Sequence, residues 1–179
     1  RDQRLVHCTG AWSDELPAPG YDEERPRAMD GWTYGMAQIL LSASPAMLEE
    51  FELPYASRWS ERFGLAYYGC CEPLHDRLHL VRRLPNVRKI SMSPWADVEV
   101  GAAGIGSDYV FSWKPNPNVF ALDGWDPDAI ERQIGHVVDV CAEAGCPLEI
   151  TMKDISTVRH RPHRLWEWAD IAMRAVQRG

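Results

Sequence analysis

The sequence predicts an α/β fold: part of a (β/α)8 TIM barrel, with about five parallel strands and flanking helices. Three observations predict it. From Leu65 onward, short apolar runs alternate with amphipathic stretches in a βαβαβαβα pattern. Such alternation implies parallel strands joined by right-handed crossovers. Each βα unit covers ~20 to 40 residues, which suits one unit of a barrel or a doubly wound sheet. Finally, four of the apolar runs end in polar clusters, where loops after parallel strands open into one crevice. A whole barrel takes ~250 residues. A single domain of 179 residues therefore matches the C-terminal half of one.

The elements follow in order. Leu5, Val6, His7 and Cys8 suggest a short strand, and residues 9–30, rich in Pro, Gly, Asp and Glu, a long loop. Residues 32–43 are apolar and read as helical. Ser44 suits an N-cap with Pro45 in the first turn. Leu48, Phe51, Tyr55, Trp59 and Phe63 then recur at helical spacing. Pro54 predicts a kink or break there, and Gly64 a stop. Strands are predicted at 65–69, 87–92, 108–113 and 148–152. Between them, Leu74, Leu78 and Val81 mark a helix, and Ser93-Pro94 caps another with Val98 and Ala102 inward. Asp126-Pro127 opens a third helix, with Ile130, Ile134, Val137, Val138 and Cys141 inward and Gly145 as its stop. The last helix begins near Pro162 and carries Leu165, Trp168, Ile171, Ala172 and Val176.

Composition excludes several classes. A net charge of −7 argues against nucleic-acid binding, which needs a basic face. No apolar run nears the ~20 residues of a membrane span. The start Arg1-Asp2-Gln3 does not read as a signal peptide and, without Met, suggests a fragment of a longer chain. Five cysteines (Cys8, Cys70, Cys71, Cys141, Cys146), odd in number and irregularly spaced, do not form a disulfide framework and point to a reducing cytoplasm. No CxxC pair suggests a zinc ribbon, and no GxGxxG or P-loop supports a nucleotide fold.

The strand ends carry the candidate chemistry. The first supplies Cys70, Cys71 and Glu72, then His75 and Asp76. The second supplies Ser91, Ser93, Trp95 and Asp97; the third, Trp113, Lys114 and Asn116 between Pro115 and Pro117. The fourth supplies Lys153 and Asp154, then Thr157, Arg159, His160 and His163. In a barrel all four ends face one mouth. Cys70, Cys71, Glu72, Lys153 and Asp154 are the catalytic candidates. Trp95, Asp97, Trp113, Lys114 and Asn116 are the substrate-binding ones. Cys70, Glu72 and His75 offer sulfur, oxygen and nitrogen to a zinc ion, which with an open position would activate a thiol or water. Lys114 and Lys153 suit substrate carboxylates, or base chemistry if desolvated. Trp95 and Trp113 suit a flat wall for a planar ligand.

Each has a plainer alternative: a cysteine packs as a small hydrophobe, a lysine reaches solvent, Asp154 caps a turn, a tryptophan fills a loop. His160 and His163 read as surface or anion-binding residues and His79 and His136 as structural, while His7-Cys8 is a second metal candidate.

Several motifs carry a resemblance: Ser44-Pro45 through Pro54-Tyr55, Tyr68-Gly69-Cys70-Cys71-Glu72-Pro73, Ser91-Met92-Ser93-Pro94-Trp95-Ala96-Asp97, Lys114-Pro115-Asn116-Pro117, Met152-Lys153-Asp154 and Leu165-Trp166-Glu167-Trp168. On these, residues 44–174 resemble the C-terminal half of uroporphyrinogen decarboxylase-like proteins, in an uncharacterised branch. That superfamily includes zinc-dependent methyltransferases that move methyl groups between corrinoids and thiols. The resemblance implies a (β/α)8 barrel with its site at the strand C-termini, and methyl transfer at a zinc/thiolate site with a corrinoid protein as partner. It implies, alternatively, a decarboxylase-like lyase for a carboxylated planar, tetrapyrrole-like small molecule. A third reading is a non-catalytic, truncated half-barrel that binds a ligand or a partner, or has lost its activity.

The chain departs from the family pattern. Those methyltransferases use a His-x-Cys pair and a later Cys; Tyr68 stands where the His would be, and no later strand end carries a cysteine, so only Cys70 matches. The decarboxylases place their catalytic Arg and Asp largely in the N-terminal half. A half-barrel also leaves two sheet edges and an apolar inner surface, which predicts a homodimer or higher assembly.

Overall fold

In the computed structural model, which describes residues 4–5, 12–13, 15, 22 and 24–178, two short strands, β1 (Arg4–Leu5) and β2 (Trp12–Ser13), pair antiparallel. His7 and Cys8 lie outside the described residues. Within the predicted 9–30 loop fall β2 and a 3-10 turn, Ala28–Asp30. Residues 32–43 are not helical. They form strand β3 (Trp32–Gly35) and a 3-10 turn, Gln38–Leu40. Trp, Thr and Tyr favour a pleated surface, and pairing with the next strand decides the matter.

Helix α1 (Pro45–Phe51) starts where the Ser44 hydroxyl accepts the Met47 amide at 3.2 Å. Helix α2 (Leu53–Ser60) restarts the chain with Pro54 in its first turn, where a missing N–H costs nothing. That break resets the helical phase. Leu48 and Leu53 are buried, while Phe51, Tyr55 and Trp59 are exposed, so the predicted single stripe does not form.

Regular alternation follows: β4 (Leu65–Tyr68), α3 (Leu78–Val81), β5 (Val87–Met92), α4 (Val98–Ile105), β6 (Val110–Trp113), α5 (Pro127–Glu143), β7 (Leu148–Ile150) and α6 (His163–Val176). Ser93-Pro94 does not cap α4. Asp97 does, its carboxylate accepting the Val100 amide at 2.9 Å. Asp126 caps α5 in the same way, and Gly145, at φ +62°, follows its end. The described helices include none long and apolar enough to cross a membrane.

The five strands β3 to β7 are all parallel and lie side by side in chain order. A doubly wound sheet would reverse its order at a switch point. Unreversed winding, with flanking helices, is consistent with part of an α/β barrel.

The two sheet faces differ. Tyr68, Ile90, Met92, Phe111 and Trp113 join Ala102, Ile105, Ile134, Val137, Cys141 and Ile171 in the main core. Residues at alternate positions, Tyr67, Lys89, Ser91, Ser112 and Lys114, are polar and also buried. The polar face is covered near β3 by Trp32 and Tyr34. Trp32 Nε1 donates to the Glu15 carbonyl at 2.8 Å, and Arg88 pairs with the Glu15 carboxylate at 3.0 Å.

Candidate active site

The site begins with a glycine. Gly69 leaves β4 at φ +101°, a conformation that side chains rarely adopt. A Cβ there would lie 2.6 Å from Leu74 Cδ1 and 2.9 Å from Ser91 Cβ. This tight exit aims the Cys70 carbonyl at Ser91, whose hydroxyl donates to it at 2.8 Å.

Glu72 then locks the loop. It is fully buried, and its two carboxylate oxygens accept the amides of Cys70 (2.9 Å) and Ala37 (3.0 Å). It ties the corner after β4 to the corner after β3 instead of facing a ligand. His75 stands on the same loop, with its Nδ1 buried and without a partner among the described residues. No three His, Cys, Asp or Glu side chains are grouped to hold a metal ion among the described residues. The set Cys70, Glu72 and His75 therefore does not fit zinc.

Cys70 is 8% exposed, and burial pushes its thiol above the usual range, against a hydrogen bond from Tyr34. Its sulfur lies 3.6 Å from that of Cys71. Cys71 is half-buried, and its sulfur accepts Lys153 Nζ at 3.0 Å. Lys153 also pairs with Asp154. Burial alone would lower the pKa of Lys153, but the bonds to Asp154 and Cys71 outweigh it and raise the value.

Lys114 is fully buried. Its ammonium donates to Ser91 Oγ at 2.5 Å and to the Tyr67 hydroxyl, and it lies 4.8 Å from the centre of the Tyr67 ring. Burial, reinforced by the charge of Lys153, lowers its pKa to about 8. Behind it runs a directed chain. Ser112 donates its one hydroxyl proton to Glu149 at 2.7 Å, so it accepts from Tyr67 at 2.9 Å. Tyr67, pushed up to about 12 chiefly by burial, keeps the proton this requires. Lys89 closes the far end on Glu149.

Residues from all four predicted strand ends thus meet at one cleft of about 190 Å³, lined by Cys71, Trp95, Lys114, Asn116, Lys153 and Asp154, with three prolines and Asn118. Trp95 is 67% exposed and forms one wall. Asn116 sits on the rim, its side chain accepting the Asn118 amide at 3.0 Å. Trp113 does not reach the cleft; strand alternation turns it into the helix-side core. Asp97 is taken up as the α4 cap.

Arg159 and His160 lie elsewhere, around Asp123 in a separate cleft of about 490 Å³. A larger groove of about 520 Å³ beside Trp125 is mainly apolar, and its carboxylate, Asp126, is occupied in capping. Of the other histidines, His136 pairs with Glu99 across α5 and α4 at 3.0 Å.

Tyr67, Ser112, Lys89 and Glu149 were not foreseen. Their signal was present, since polar residues at every second strand position mark a second, polar sheet face. Arg164 was also missed. It is fully buried and donates to the carbonyls of Phe120 (2.9 Å), Leu122 (2.7 Å) and Asp123 (3.0 Å), fixing the loop after β6. Comparison of the chain with protein-family models, curated proteins and solved structures found no match.

Proposed function

We propose that the chain belongs with the uroporphyrinogen decarboxylase-like proteins and is a decarboxylase-like lyase for a carboxylated, planar small molecule. One observation carries this: Lys114 and Lys153, from the ends of adjacent strands, line one cleft beside the exposed Trp95. The Lys153 ammonium suits a carboxylate, the buried Lys114 suits a proton donor, and the indole offers a planar substrate a flat apolar surface. Lys153 holds a carboxylate that stays. The bond to the departing carboxylate breaks, carbon dioxide leaves, and the electron pair remains on the substrate carbon. The Lys114 ammonium, buried against Ser91 and Tyr67 and more acidic than an ordinary lysine, delivers the proton to that carbon once its side chain turns from those two hydroxyls into the cleft.

The test uses a carboxylated porphyrinogen and smaller aromatic polycarboxylates, with binding titrated and carbon dioxide measured. Lys153→Ala should weaken binding by roughly tenfold or more, the scale of a lost charged hydrogen bond, and Lys114→Met should abolish release with binding partly retained. Equal binding by Lys153→Ala and the parent chain would remove the basis of the proposal.

A second reading is methyl transfer between a thiol and a corrinoid partner. It is favoured by the Cys71 sulfur bordering the same cleft. Zinc does not fit the described donors, so no step is assigned to it. Stoichiometric zinc that is lost in Cys70→Ala would turn the choice toward this reading; ligand binding without turnover would favour a binding module.

A further inference from the structure

We infer that Cys70 and Cys71 form a dithiol modification site at the mouth of the cleft, oxidised reversibly to a vicinal disulfide by a peroxide. This inference stands apart from the proposed lyase activity. Three features of position support it. The two sulfurs are already in contact at 3.6 Å. Only one of them faces the cleft: Cys71 lines it, whereas Cys70 lies behind, 8% exposed. That is the arrangement of a peroxide-reactive thiol with a resolving partner. The Lys153 ammonium, 3.0 Å from the Cys71 sulfur, supplies the electropositive surroundings typical of reactive cysteines.

The steps balance. The Cys71 sulfur attacks one oxygen of hydrogen peroxide, the O–O bond breaks, and one water leaves, so that Cys71 becomes a sulfenic acid. The Cys70 sulfur attacks that sulfur, the S–O bond breaks, and a second water leaves with the remaining thiol proton. Two thiols lose two electrons and the peroxide gains them. The sulfurs must close from contact to ~2.05 Å. Neighbouring Cα atoms stand only ~3.8 Å apart, below the ~4.4 Å at which relaxed disulfides begin, so the bond is strained and easily reduced. Reversibility follows. Closure also takes the Cys71 thiol away from Lys153 at the edge of the substrate cleft.

Cys141 and Cys146 provide an internal control, since both are buried in the helix-side core and neither lines the cleft. The experiment treats the whole chain with hydrogen peroxide near stoichiometry, then alkylates it and maps its peptides by mass. The peptide holding residues 70 and 71 should lose two hydrogen atoms and its reactivity toward iodoacetamide, and dithiothreitol should restore both. In Cys70→Ser, Cys71 should stop at the sulfenic acid and be trapped by dimedone. Cys71→Ser should make Cys70 no more reactive than Cys141. The inference is overturned if Cys71 in the parent chain accumulates sulfenic or sulfinic acid while Cys70 is still alkylated. It is equally overturned if the Cys141–Cys146 peptide oxidises first. The parent-chain measurement requires no variant to fold.

Discussion

Lys114 is fully buried, with its ammonium hydrogen-bonded to Ser91 and Tyr67. It is a buried cation with hydroxyl acceptors, not a carboxylate, beside it, so folding disfavours its charged form. Its pKa in the folded chain, about 8, lies below the ordinary lysine value of 10.5. Between these values the unfolded chain binds more protons, so stability rises with pH in that window. Tyr67 acts oppositely, but only as pH rises past the normal phenol range near ~10. Urea midpoints measured from pH 8 to ~10 should therefore rise in the parent chain relative to Lys114→Met; a constant difference would contradict the assignment. Glu72 shows the reverse economy, a buried anion whose two oxygens serve two backbone amides. In Glu72→Gln, the amide nitrogen would face a backbone N–H, donor against donor. A loss of about 2 to 3 kcal/mol in unfolding free energy is expected, read by chemical denaturation.

At the scale of elements, the corners between strands and helices matter more than the strands. The corner after β4 depends on Gly69, because its positive φ and the nearby Leu74 and Ser91 atoms leave no room for a side chain. Gly69→Ala should cost roughly 2 kcal/mol or more in stability and disturb the Ser91 bond to the Cys70 carbonyl, with ligand affinity falling in parallel. The corner before α4 makes the opposite prediction. Asp97 caps that helix, so Asp97→Ala should cost about 1 kcal/mol and leave ligand affinity unchanged, as calorimetry and a binding titration would show. A large affinity loss would restore the substrate-binding role expected from sequence. Helix α2 is held differently again, by Trp59 Nε1 donating to Thr33 on β3 at 2.6 Å. A tryptophan placed on an apolar stripe by its spacing instead anchors a helix to an edge strand.

For the whole molecule, the open sheet has consequences. Strands β3 and β7 are its edges among the described residues. Near β3, Ile39 is 91% exposed, with Phe51, Tyr55 and Trp59 exposed in the neighbouring helices. Such a surface favours burial against a partner, and we expect the chain to self-associate as a homodimer or larger assembly. Sedimentation at low micromolar concentration should show this, and Tyr55→Glu should shift the distribution toward monomer; a stable monomer in the parent chain would refute it. The alternating pattern from Leu65 onward by itself determined the βα order and the places where helices start and stop at Asp126 and Gly145, because periodicity, caps and glycine stops are local properties. The same pattern placed Cys71, Trp95, Lys114, Asn116, Lys153 and Asp154 at strand ends, and a parallel sheet brings such ends together. Tertiary structure alone decided that residues 32–35 form a strand, since an apolar stretch of that length takes its state from its neighbours. It also decided that Glu72 clamps backbone, that Trp113 turns away from the cleft, and that Lys114 is desolvated against Tyr67. Burial and hydrogen-bond partners come from residues far apart in the chain, and no local pattern encodes them.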